Sequence, residues 1–145
     1  MATFTTDMNL EKPSEGASNA GESINDNSDK LELRTLKVTL GETVAQYDYV
    51  YWDSTSGKYK KAQADTDTKK VAHGLALTAG ILDDQIFICY MGRVDGGWSF
   101  SGNGPVYLDA STAGAVTQTP PAKKVLLGYP TSTTEMFVIP PIVQS

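Results

Sequence analysis

From residue 31 onward the chain is a succession of short apolar or alternating runs. Each is closed by a cluster of Gly, Ser, Thr, Asn, Asp or Pro, at spacings of about 8–12 residues. Leu31, Leu33, Leu36, Val38 and Leu40 stand among polar residues, and a slip of phase near Thr35 predicts a bulge. "YDYVYW" (Tyr47 to Trp52) is aromatic and β-branched, and "DSTSG" behind it has turn composition. "KYKKA" (Lys58 to Ala62) reads as an edge strand whose lysines deter stray pairing. "VAHGLAL", "QIFICYMGRV", "GPVYLD", "AGAVTQ", "KVLLGY" and "EMFVIP" continue the series. No stretch carries helical periodicity, and at most one helical turn is expected near Ser111. The chain is therefore expected to take a mainly-β fold, a small barrel or sandwich, and the runs leave open whether it is tulip-like or jelly-roll-like.

Part of the series occurs twice. Val50, Tyr51 and Asp53 match Val106, Tyr107 and Asp109, and Val38 matches Val94. Downstream, "HGLALT" (His73 to Thr78) pairs with "LGYPTS" (Leu127 to Ser132), and "DQIFI" pairs with "TEMFVI", placing Phe87 opposite Phe137. This predicts two related β-units, about 37–92 and 93–140, closing on one shared core within a β-domain of residues 31–145. Two copies are too few for a solenoid. In each unit a strand ends at an Asp whose carboxylate is placed to bond backbone N–H groups of the turn. A strand with Gly then follows, where the backbone bends or approaches closely.

Residues 1–30 differ in kind. They hold six acids and two bases, which is −4 of the chain's net −5. Their few large apolar residues cannot offset the entropy of ordering. The segment reads as an extended acidic N-terminal arm that is either a tail or a strap ordering on another chain. Its anchors would be Phe4, Met8, Leu10 and Ile24. Fully extended, thirty residues reach roughly 100 Å at ~3.3 Å each.

The residues offer little to catalysis. The one histidine, His73, is expected to be buried or paired, and the one cysteine, Cys89, to be a buried thiol. No nucleophile elbow, phosphate loop or zinc-ligand cluster is present, and the "DTD" at Asp65 to Asp67 lacks calcium-loop spacing. No metal, cofactor or enzymatic activity is expected. The absence of a basic patch argues against nucleic acid, and the absence of a long apolar run against a membrane-spanning helix. No secretory signal is expected either. "GRVDGGWSFSGNG" (Gly92 to Gly104) reads as a surface loop or hairpin, whose Trp98 and Phe100 are either core or interface anchors.

The succession "VYLDASTAG…VTQTPP…VLLGY…EMFVIPP", preceded by "VAHGLALTAGILDDQIFICYMGRVDG", resembles the capsid decoration, or cement, proteins of tailed bacteriophages. "YWDSTSGKY", "HGLAL" and "FICYMGRV" stand where the lambda head decoration protein has a comparable middle. The resemblance spans about residues 41–140, and the arm lies outside it. It implies a mainly-β homotrimer made in the host cytoplasm and seated on the outer surface of the expanded capsid. There it would bind the major capsid protein and stiffen the shell against packaged DNA. The alternative from another class is a head-fibre or receptor-binding module, using Tyr47, Tyr49, Trp52 and Trp98 to hold host-surface glycans.

Overall fold

The computed structural model describes residues 33–144. The expected arm, with Phe4, Met8, Leu10 and Ile24, lies outside the described residues. Within them nine strands follow one another without a helix: β1 (Arg34–Thr39), β2 (Tyr49–Asp53), β3 (Lys58–Lys61), β4 (Ala72–Ala76), β5 (Gln85–Asp95), β6 (Val106–Leu108), β7 (Val116–Thr117), β8 (Val125–Pro130) and β9 (Glu135–Val143). All nine belong to one sheet of order β3-β2-β4-β5-β9-β8-β6-β7, with β1 also paired to β5. Every strand pair is antiparallel. The mainly-β expectation holds. The residues expected to turn near Ser111 form bends and turns rather than helix.

The sheet curls into a half-barrel because its first part rolls back on itself. Just past β1, Leu40 bridges Tyr59 of β3, and the Gly41 N–H donates to the Tyr59 carbonyl at 2.7 Å. The roll encloses a small core of Val38, Leu40, Val44, Val50, Ala76, Ile86 and Ile88. A larger core lies on the other face of β2 and β4, where Tyr49, Tyr51 and Leu75 meet Val106, Leu108, Val125, Leu127, Met136 and Val138. Alternation along β2 sends Val50 to the small core and both tyrosines to the large one. This is why Tyr49, Val50 and Tyr51 follow one another with no charged residue between them. It also explains why its sequence signal is so strong.

The strand order reads alike from both ends. An edge hairpin (β3-β2, β7-β6) is followed by a third strand (β4, β8) and then a long one (β5, β9). The registers correspond as well. Val50 faces Gly74 and Tyr51 faces Ala72, with a shift between them; Val106 faces Gly128 and Tyr107 faces Leu126, with the same shift. One sequence match moves. Leu75 pairs with Cys89 where Tyr129 pairs with Phe137, so Cys89, not Phe87, occupies the place of Phe137. β5 also runs unbroken through the boundary expected at 92/93, as far as Asp95.

Both turn acids act as their sequence context predicts. Asp53 accepts the Thr55 N–H at 3.3 Å and the Ser56 hydroxyl at 2.9 Å; Asp109 accepts the Ser111 N–H at 2.7 Å. Gly128 illustrates the glycine rule, because an ideal Cβ there would stand 2.0 Å from the Phe137 carbonyl oxygen. Gly114 (φ 81°) ties the halves together: its N–H donates to the Ala62 carbonyl at 2.6 Å, and its carbonyl accepts the Tyr49 N–H at 2.9 Å.

Candidate interaction surface

The residues that carry reactivity are locally satisfied. Cys89 is buried, its sulfur donating to the Met91 carbonyl at 3.4 Å, and burial pushes the thiol's pKa up. A thiol so placed is a poor nucleophile. His73, expected to be buried or paired, is exposed; its ring meets Tyr59 edge-on at 5.6 Å. It stands on the outward side of β4, beside the bulge that turns Gly74 toward Cys89. Among the described residues no three His, Cys, Asp or Glu side chains gather as metal ligands. No helix there is long and apolar enough to cross a membrane.

A cleft lined by Glu42, Tyr51, Lys60, Lys61, Gln63 and Lys69 is basic in composition but neutralised in place. Lys60 bridges Asp53 at 3.2 Å and Lys69 bridges Asp65 at 3.6 Å. Asp67 of the "DTD" is clamped by Lys123 at 3.0 Å and Lys70 at 3.3 Å, and the Lys123 hydrogen bond, then that of Lys70, holds its pKa below the carboxylate range. The Ser56 hydroxyl does the same for Asp53.

The aromatic residues proposed from sequence divide. Phe100 is buried against the larger core, and its N–H donates to the Thr133 carbonyl at 2.8 Å. Trp98 is half-buried between Phe100 (5.5 Å) and Tyr47 (5.7 Å), so these three rings close one end of that core. Tyr49 has no exposed surface at all, because β2 is covered on both faces, and it is removed from any glycan platform. Trp52 is the aromatic of that set left open to solvent.

The surface that stands out is not one the sequence singles out. β1 pairs Thr35 with Cys89 but Arg34 with Met91, leaving Tyr90 as an extra residue on β5. A register shift does fall between Arg34 and Thr35, where a bulge in β1 is expected from the sequence, but the extra residue belongs to β5 and not to β1. Past Tyr90 the faces of β5 exchange. Val94 turns into the larger core, while Met91, Arg93 and Asp95 turn to solvent. Their cross-strand partners share that face. Phe137 pairs with Arg93, Tyr129 with Phe137, and Glu135 with Asp95. On β1, Leu36 follows Arg34 two residues on and lies on the same side.

The result is a contiguous band across four strands: Leu36, Arg34, Met91, Arg93, Phe137 and Tyr129. Its four large apolar side chains are 37–47 % exposed. Asp95 and Glu135, two like charges directly opposed, stand at one end. Arg34 stands at the other. Among the described residues, ion pairs are formed by Lys58, Lys60, Lys69, Lys70 and Lys123 with Asp83, Asp53, Asp65 and Asp67. None of these draws on Arg34, Asp95 or Glu135. A second apolar pair, Ile81 and Leu82, projects from a loop braced by two Val44–Gly80 backbone bonds of 2.9 Å and by the Lys58–Asp83 pair.

Met91, Phe137 and Tyr129 occupy positions that look like core when strands are read alone. The flip at Tyr90 that exposes Met91 is a property of the β1–β5 pairing, with no local signature. No protein-family model matches the chain, and no curated protein matches it.

Proposed function

We propose that the chain is a non-enzymatic structural protein of a phage particle, binding the outer surface of the expanded capsid and stabilising it against internal DNA pressure. The observation that carries this reading is a β-domain whose reactive groups are buried or paired and whose exposed apolar and charged band suits protein contact, as needed by a protein that acts as an assembly of copies on a shell. Such a surface is suited to protein contact, where apolar burial supplies affinity and charge supplies register. The resemblance of "VYLDASTAG…VTQTPP…VLLGY…EMFVIPP" to capsid decoration proteins supplies the kind of partner, the major capsid protein, and implies a homotrimer. Several copies engaging several capsid subunits at once multiply modest single contacts. Residues 1–30 act as a clasp on a neighbouring subunit through Phe4, Met8, Leu10 and Ile24. We also read the mirrored strand order and matching registers as two copies of one β-unit.

The test compares the full chain with a variant lacking residues 1–30 for binding to expanded capsids and for the temperature of capsid rupture. The full chain is expected to decorate with hundreds of copies per particle and to raise the rupture temperature, and the deletion to lose most of both. Occupancy of a few tens of copies, together with glycan binding through Trp52, overturns the cement reading in favour of a fibre module.

A further inference from the structure

We infer that the band of Leu36, Arg34, Met91, Arg93, Phe137 and Tyr129 is where one copy of this chain packs on the next, the Arg34 end of one copy meeting the Asp95–Glu135 end of its neighbour. The inference deepens the proposed function and rests on it only for the setting in which the oligomer works.

Three observations lead to a second copy rather than another partner. First, the face is self-complementary. One end joins a cation to aliphatic groups (Arg34 beside Met91, with Leu36 next along β1), and the other joins two acids to two aromatic rings (Asp95 and Glu135 beside Phe137 and Tyr129). A face holding both halves of a charge match needs no foreign surface to complete it.

Second, the charges at the two ends stand outside the ion pairs of the described domain. Of the ten acids of the domain, Asp53, Asp65, Asp67 and Asp83 have lysine partners, and among the others Asp95 and Glu135 are the pair set directly opposite each other across a ladder. Asp95 spends one carboxylate oxygen on the Gly97 N–H at 3.1 Å and Glu135 one on the Thr131 hydroxyl at 3.4 Å, with no ion pair for either among the described residues. Opposed carboxylates on neighbouring strands repel in an isolated copy, and among the described residues the one positive charge close by on that side of β5, Arg93, stands against two negative ones. An arginine brought between them relieves that repulsion and gives a forked donor for two carboxylates.

Third, residues 33–145 carry ten acids and ten bases, the remainder after the seven acids and two bases of residues 1–32 are taken from totals of 17 and 12. A net-neutral domain does not repel its own copies, so the local match decides.

Contact of this kind buries Phe137 and Tyr129 of one copy against Met91 and Leu36 of the next, a pairing of aromatic anchors with aliphatic sockets typical of interface hot spots. Head-to-tail contacts close into a ring where the rotation between copies completes a circle, and run on as a filament where it does not.

The experiment measures the solution mass of the full chain by sedimentation, without capsids, so its failure is separate from failure to bind a shell. The wild type is expected to form an oligomer at micromolar concentration. Phe137→Glu is expected to be monomeric, and Arg34→Glu to dissociate at least tenfold more readily. Asp95→Lys with Glu135→Lys should do the same. The triple variant, Arg34→Glu with Asp95→Lys and Glu135→Lys, restores association with the charges exchanged. Each variant is compared at equal melting temperature, so loss of fold is read apart from loss of contact. A monomeric wild type, oligomers indifferent to Phe137→Glu and Arg34→Glu, or a triple variant that associates no better than Arg34→Glu alone and the double lysine variant overturns the inference.

Discussion

Tyr49 is the one described side chain whose buried polar atom finds no hydrogen-bond partner. Its ring fills the larger core from β2, and burial, with Cys89 nearby, pushes the phenol's pKa far up. A hydroxyl that gives up water and gains nothing is a cost. Tyr49→Phe is therefore expected to leave stability unchanged or to raise it by up to ~1 kcal/mol, read from urea unfolding. A loss of more than that would mean the hydroxyl has a partner. The carboxylates give a second residue-scale expectation. Burial raises Asp48 against the lowering effect of its Ala45 N–H bond, whereas hydrogen bonds lower Asp53 and Asp67. The signs follow from linkage. Asp53 and Asp67 add stability that is present above the usual carboxylate pKa and is lost as pH falls through their depressed values. Asp48 works the other way, its cost at neutral pH relieved as it protonates above that range. A carboxyl NMR titration should place Asp48 above Asp53 and Asp67; the reverse order would refute the assignment.

At the scale of elements, β8 and β9 depend on Gly128. Any Cβ there meets the Phe137 carbonyl at 2.0 Å, and φ is 155°. Gly128→Ala must push the strands apart in the middle of the ladder and is expected to cost at least ~3 kcal/mol, measured by denaturant unfolding; a cost below ~1 kcal/mol would show that the pair yields easily. Strands of this kind are legible in the amino-acid order alone. Runs such as "YDYVYW" and "QIFICYMGRV" fall largely on β2 and β5, and the matched Val50–Tyr51 and Val106–Tyr107 fall on corresponding positions of β2 and β6. The pairing that decides which face is open is not legible there. Met91 has the same apolar character whether it points into a core or out of it, and only the extra residue Tyr90 opposite β1 turns it outward. For the same reason the sequence matches Phe87 to Phe137 although the registers set Cys89 there. His73 is exposed but ring-paired with Tyr59, whereas Tyr49, expected among exposed aromatics, is buried, because burial depends on which strands cover β2 and β4, a long-range fact.

For the whole molecule, the two cores are not independent. β5 lends Ile86 and Ile88 to the small one and Cys89 and Val94 to the large one. The described domain is therefore expected to unfold in a single transition, its calorimetric and van't Hoff enthalpies agreeing. Met136→Ala, which empties a fully buried site in the large core, should lower that one transition by ~2–5 kcal/mol without splitting it. Two resolved transitions would contradict a shared strand.

That shared strand also sets how the domain bears load. β5 is held along its length by β1 and β4 near Gln85–Met91 and by β9 at Gly92–Asp95. A pull along its axis must shear rungs of several ladders together, whereas a pull across an edge hairpin such as β6–β7 opens rungs one after another. A force passed from one copy to the next through the Met91–Phe137 band would therefore enter the domain on β5 and β9, strands paired along most of their length, rather than on an edge hairpin.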